Sequence, residues 1–257
     1  MLLRGKAGAE QRLRVWHHRP QGLLHRPESH SKVVSITPRP IVKICCIASV
    51  HEARMAVAAG AGALGLVSAM PSGPGVIDEA VIGDIAACLR SESPGVDTFL
   101  LTSRTSADAI AEQHQRLRTT TLQLVDHVGV DELQRLRRLC PDAKLVQVIH
   151  VKGEESLDEA RAAAPWVDAL LLDSGNPALA VKQLGGTGRT HDWTTSRRIR
   201  DAVHPKPLFL AGGLHAGNAR QALDTVQPDG LDLCSKVRTE GQLDEGKLRA
   251  FMAAVRG

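Results

Sequence analysis

Residues 41–50 read IVKICCIASV, so two thiols, Cys45 and Cys46, close a short β-prone run. A carboxylate, Asp173, closes another in ALLLDSG. A thiolate can take a proton from carbon, and a carboxyl group kept neutral can give one to oxygen, so these two residue types suffice for acid–base chemistry. Asp173 follows Leu170, Leu171 and Leu172, surroundings that disfavour the charged form. An aspartate there also suits a plain turn or helix cap. Two further runs end in small residues: LFLAGG supplies Gly212 and Gly213, and LDLCS supplies Ser235. Exposed backbone N–H groups at such ends can cradle a phosphate, and a tight turn is the alternative. In LGGTGRTHDW, residues 184–193, Gly185, Gly186 and Gly188 allow the backbone of a closing lid or a close anion contact. Arg189 adds a forked charge for a carboxylate or phosphate. Lys43, two residues before Cys45 on the same strand face, adds a cation near the thiols. Side chains alternate along a strand, so only one of Cys45 and Cys46 is expected at the reaction centre. Cys234 reads as a small buried filler.

The elements that must position these residues are legible as an alternation. Short apolar or β-branched runs occupy 41–45, 62–67, 97–101, 121–125, 144–149, 167–172, 207–211 and 230–234. Between them lie Ala-rich, charged segments of helical period: 49–60, 78–90, 105–116, 131–139, 154–164, 193–203, 216–226 and 244–255. Eight strands alternating with eight helices imply parallel pairing through right-handed crossovers. The expected fold is α/β, a single (β/α)8 TIM barrel over residues 41–257. An open doubly wound sheet would want a Gly-rich turn after its first strand, and Cys45–Cys46 stands there instead. In a barrel the chemistry sits at the C-terminal ends of the strands, which is where Cys45, Asp173, Gly212, Gly213 and Ser235 fall.

Composition narrows the partners. The 257 residues include three Phe, three Trp and no Tyr, too few aromatics for base-stacking platforms, so no nucleic-acid partner is expected. The net charge of +4 belongs to the first 40 residues, which hold eight basic against two acidic side chains; the remainder has 24 against 26. That N-terminal stretch, with four Pro and four His, is expected to be a disordered basic extension, an appended tail in preference to an organelle-import leader. No apolar run reaches 18 residues, so no membrane span is expected. Five cysteines in a chain with a large core read as reduced thiols in a cytoplasmic setting. The histidines lack ligand spacing, so no metal site is expected; His127 and His150 lie near strand ends.

These motifs together resemble the phosphoribosylanthranilate isomerase family of tryptophan biosynthesis. Its K-I-C-G-I-T strand is matched by KICCIA, its G-A-D-A-L/V-G-F-V by GAGALGLV, and its G-G-T/S-G-K-T-F-D-W lid by GGTGRTHDW. The closing strands are echoed by LAGGLHAGN and DLCSKV. The resemblance implies a cofactor-independent Amadori rearrangement of a phosphorylated aminosugar by a monomer or homodimer. Carried over residue by residue, it makes Cys45 the base at sugar C2 and Asp173 the acid at the ring oxygen, with Cys46 in place of a family glycine. It also implies substrate or phosphate contacts at Lys43, Gln123, the lid glycines, Arg189, Gly212, Gly213 and Ser235. Three departures stand near the substrate. MPSGPGVI, residues 70–77, lacks the family's arginine; QLVD, residues 123–126, replaces Q-L-H-G; and Lys236 and Arg238 replace a glycine and a glutamate. A relative acting on another phosphorylated aminosugar, or a non-catalytic sugar-phosphate-binding barrel, are the competing readings.

Overall fold

The computed structural model describes residues 39–174 and 191–257. Eight strands form the barrel: β1 Ile41–Ile44, β2 Ala63–Val67, β3 Asp97–Thr102, β4 Thr121–Leu124, β5 Lys144–His150, β6 Ala169–Asp173, β7 Leu208–Leu210 and β8 Gly230–Leu233. The helices are α1 Val50–Ala59, α2 Glu79–Glu92, α3 Ala107–Leu117, α4 Val130–Leu139, α5 Glu155–Ala163, α6 Trp193–Val203, α7 Ala219–Val226 and α8 Glu245–Arg256. Strands pair in sequence order, all parallel, and β1 closes on β8. The (β/α)8 expectation holds, with strand bounds shifted by no more than two residues. The proposed 1–40 extension falls almost wholly outside the described residues.

Local chemistry sets the element ends. Ser49 caps α1 by accepting from the Glu52 N–H, and Gly60 ends it in a left-handed turn at φ 103°. Asp192 caps α6 by accepting from Thr194 and Thr195, and Asp244 caps α8 through the Lys247 N–H. β6 begins two residues late because Ala164–Trp166 continues α5 as a 3-10 turn through Pro165. α7 begins at Ala219 because the Asn218 side chain stabilises the turn before it, accepting from the His215 N–H and donating to the Gly213 carbonyl.

Alternation along each strand separates two faces. Ile44, Leu64, Leu66, Leu100, Leu170 and Leu208 face outward into one apolar cluster with the helices. Each such buried side chain contributes on the order of 1.5–3 kcal/mol. The inward set is mixed: Lys43, Phe99, Gln123, Phe209 and Asp232 are all buried. Phe99 and Phe209 meet edge to face at 5.8 Å, and a Cβ at Gly230 would lie 2.4 Å from the Phe209 ring, so that ring requires a glycine on β8.

A buried ion pair ties the end of the chain to α1. Glu52 accepts from Arg238 Nη1 at 3.0 Å and Nη2 at 3.1 Å, and also from the N–H groups of Leu243 and Ala48. Arg238 in turn donates to the carbonyls of Cys46 and Gly241. Burial alone would raise the Glu52 carboxyl, but Arg238 and the two N–H groups outweigh it and hold the group below the usual carboxylate range. Glu52→Ala strands a guanidinium whose side chain is only 8% exposed. Its expected cost is about 3–5 kcal/mol in urea unfolding, the scale for breaking a buried pair. A loss of about 1 kcal/mol or less, typical of a surface pair, would contradict this reading.

Candidate active site

The C-terminal strand ends surround a cavity of about 730 Å³, counting its open mouth. Val67, Leu101, Val125 and Val148 form an apolar floor, and Cys45, Gln123, Asp173 and Asp232 add its polar groups. Gly212, Gly213, Ser235 and Lys236 form the wall beyond β7 and β8. The structure therefore brings together Cys45, Asp173, Gln123, Gly212, Gly213 and Ser235 as the sequence led us to expect. Gly185, Gly186, Gly188 and Arg189 lie outside the described residues.

Cys45 follows β1 immediately, and its N–H donates to the Leu233 carbonyl of β8 at 2.8 Å. Gly65 on β2 leaves space for it: a Cβ there would stand 2.9 Å from Cys45 Sγ and 3.1 Å from Lys43 Nζ. The thiol and the ammonium thus converge over one glycine. Asp173 closes β6 and is 8% exposed. Burial raises its carboxyl above the ordinary range; the Ser174 N–H, His150 and Lys43 oppose that, and the Asp232 charge adds to it.

Gly212 and Gly213 hold left-handed backbone at φ 85° and 62°, which only glycine adopts without strain. Among the described residues, their N–H groups donate to no main-chain carbonyl. These two amides, beside Ser235 and Lys236, make a place for an oxyanion. Gln123 Oε1 and Asp232 Oδ1 are buried and have no hydrogen-bond partner among the described residues, so each offers an acceptor to a bound molecule.

Three expectations are corrected. Lys43 is wholly buried and absent from the cavity wall. It donates to Asp232 Oδ2 at 2.8 Å and lies 5.3 Å from the Phe99 ring, so it cannot touch a phosphate. Burial works against its charge, yet Asp232 and the nearby thiols hold its proton above the usual lysine range. Cys46 also lines the cavity beside Cys45. Strand alternation ends at Ile44, and Cys46 takes a left-handed φ of 63°, which turns its side chain into the mouth. Cys234 is no filler: it lines the same cavity, its Sγ 2.7 Å from Cys46 Sγ. His150 is buried against the Val125 carbonyl and His127 faces Glu159 at 3.4 Å, so neither reaches the wall. Sequence reasoning missed Asp232. A lysine inside a strand requires a buried counter-charge, and the lone carboxylate of LDLCSKV was the available signal.

The model of the N-(5'-phosphoribosyl)anthranilate (PRA) isomerase family matches residues 42–254, nearly the whole barrel. The chain belongs to the phosphoribosylanthranilate isomerase family. Among its relatives, N-(5'-phosphoribosyl)anthranilate isomerase of Haloferax volcanii is 35% identical over 217 residues, covering 84% of this chain and 92% of that one. The enzyme of the same name from Methanosarcina acetivorans is 31% identical over 230 residues, with the same coverage. The solved phosphoribosylanthranilate isomerase of Thermotoga maritima superposes with a TM-score of 0.69 at 25% identity, covering 84% of this chain and 98% of its own. Another solved member, at TM-score 0.67 and 23% identity, holds reduced 1-(o-carboxyphenylamino)-1-deoxyribulose 5-phosphate; at that identity it supports the fold alone. Cys46 stands where the resemblance implies a glycine, and its left-handed backbone is one that glycine adopts without strain. The arginine that the resemblance implies after β2 has no counterpart on the described wall: Met70, Ser72, Gly73 and Pro74 stand there. Arg238 is committed to Glu52, which leaves Lys236 as the cation among the described wall residues.

Proposed function

We propose that this chain catalyses the Amadori rearrangement of N-(5'-phosphoribosyl)anthranilate, with Cys45 as base and Asp173 as acid. The observation that carries the reading is the convergence of these two side chains with two glycine amides in one cavity of a family member. Asp173, whose carboxyl burial raises above the ordinary range, donates its proton to the furanose ring oxygen. The C1–O bond breaks and the anthranilate nitrogen supplies electrons, leaving an iminium at C1. Cys45 then removes the C2 proton to give an enolamine, which tautomerises to the ketose. C2 is oxidised and C1 reduced within one molecule, so the electrons balance internally. The amides of Gly212 and Gly213, with Ser235 and Lys236, hold the phosphate. Gln123 Oε1 and Asp232 Oδ1 accept hydrogen bonds from the substrate.

The substrate's anthranilate carboxylate needs its own cation, and Arg189, outside the described residues, is our assignment. The five cysteines are free among themselves, which suits a reducing compartment such as the cytoplasm. To test the function, phosphoribosylanthranilate is generated in situ and the loss of anthranilate-type fluorescence is followed with purified protein. Saturable turnover is expected. Its absence in well-folded protein would overturn the reading and favour another phosphorylated aminosugar, the alternative raised by the missing arginine after β2.

A further inference from the structure

The cavity mouth holds a thiol pair that the proposed isomerisation does not use. Cys46 and Cys234 are 188 residues apart in sequence, yet their Sγ atoms lie 2.7 Å apart. The strand register explains why. Ile44 of β1 pairs with Leu233 of β8, so both chains leave the sheet side by side, about 4.8 Å apart. The left-handed turn at Cys46 then swings its side chain toward β8. Neighbouring parallel backbones lie within the Cα span that a disulfide bridges. Both thiols line the cavity, so a small solute that enters it meets them.

We propose that Cys46 and Cys234 are an oxidisable dithiol that forms a reversible disulfide across the β1–β8 seam, beside Cys45. The oxidant is a hydroperoxide such as hydrogen peroxide. The Cys234 thiolate attacks one peroxide oxygen, the O–O bond breaks, and hydroxide leaves, taking up a proton as water. The resulting sulfenic acid is attacked at sulfur by Cys46, which loses its proton and expels the second water. Two thiols and one peroxide become one disulfide and two waters; the thiols give up the two electrons that reduce the peroxide. The roles follow from the surroundings. The proton shared with Cys46 lowers the Cys234 thiol, and Arg238 and Lys43 help, against burial and the Asp232 charge. The same sharing, with burial, holds Cys46 in its protonated form.

The bond would have consequences on both sides of the seam. Cys46 Sγ lies 3.5 Å from the Pro74 carbonyl, so a shift of this thiol on oxidation is felt by the loop after β2. Cys45 precedes Cys46 and Ser235 follows Cys234, so tying the pair shifts the base and the phosphate wall together. This effect on turnover rests on the proposed isomerisation; the disulfide itself does not.

The full chain is treated with hydrogen peroxide, its remaining thiols are alkylated, and tryptic peptides are mapped without reduction. The expected product links residues 44–54 to residues 221–236, and dithiothreitol releases it. Because 44–54 contains both Cys45 and Cys46, two variants assign the bond. Cys45→Ala keeps the link, and Cys46→Ser loses it. Cys46→Gly, suited to the left-handed backbone, serves if the serine variant does not fold. All thiols free after treatment, or a link lost in Cys45→Ala, would overturn the proposal. The ratio of reduced to oxidised turnover is then expected near 100 in the wild type, the scale of a misplacement of about 1 Å, and near 1 in Cys46→Gly. A mapped link with no turnover in either state would sink the isomerase reading alone.

Discussion

Cys45→Ala is expected to lower kcat by about 100- to 10,000-fold while KM for phosphoribosylanthranilate stays within a small factor. That range is the contribution of a positioned acid–base group. The split between the constants follows from where Cys45 sits. Phosphate is assigned to the amides of Gly212 and Gly213, after β7, and the thiol contributes little to holding it. The variant should fold, because alanine fits the small space over Gly65 that Cys45 Sγ now fills. Steady-state fluorescence kinetics with matched thermal melts decide the matter. A kcat within tenfold of the wild type would remove Cys45 from the chemistry and direct attention to Cys234.

Asp173→Asn should produce a loss of similar size, and its pH dependence separates an acid from a polar contact. Burial holds the Asp173 proton above the ordinary carboxylate range, near 3.9 for a free side chain. As an acid it works only while protonated, so wild-type kcat should fall as pH rises through its raised value. The asparagine variant keeps its residual rate without that limb. Stability carries the same sign. Between the unfolded and the raised folded value, the folded chain binds more protons than the unfolded one, so the Asp173 contribution to stability declines as pH rises through that window. Asparagine removes that slope, and near neutral pH the variant should melt no lower than the wild type. Two profiles that superpose after scaling, with no high-pH limb lost in the variant, would refute the acid role.

Most of the barrel was legible before any coordinate. Local pattern carries it: short runs such as ALLL before Asp173, bounded by turn residues, read as strands buried on both faces, and segments such as 131–139 place Leu133 and Leu136 on one helical face. The clustering of Cys45, Asp173, Gly212, Gly213 and Ser235 followed, because any barrel of this kind presents its strand C-termini together. Those features depend on residues within about two turns or one strand of each other.

What only the tertiary structure decided lies across one seam, where β1 meets β8. Lys43 finds Asp232, Cys46 finds Cys234 and Glu52 finds Arg238, each pair more than 180 residues apart in sequence. These contacts reassign residues that read differently in isolation. Lys43 moves from the cavity to the interior, Cys234 moves from filler to cavity wall, and Arg238 becomes a structural tie. Periodicity reports which face of an element is buried, but not which side chain waits on the partner strand. That partner is set by the register at which the barrel closes, and only the closed barrel brings the first strand beside the last.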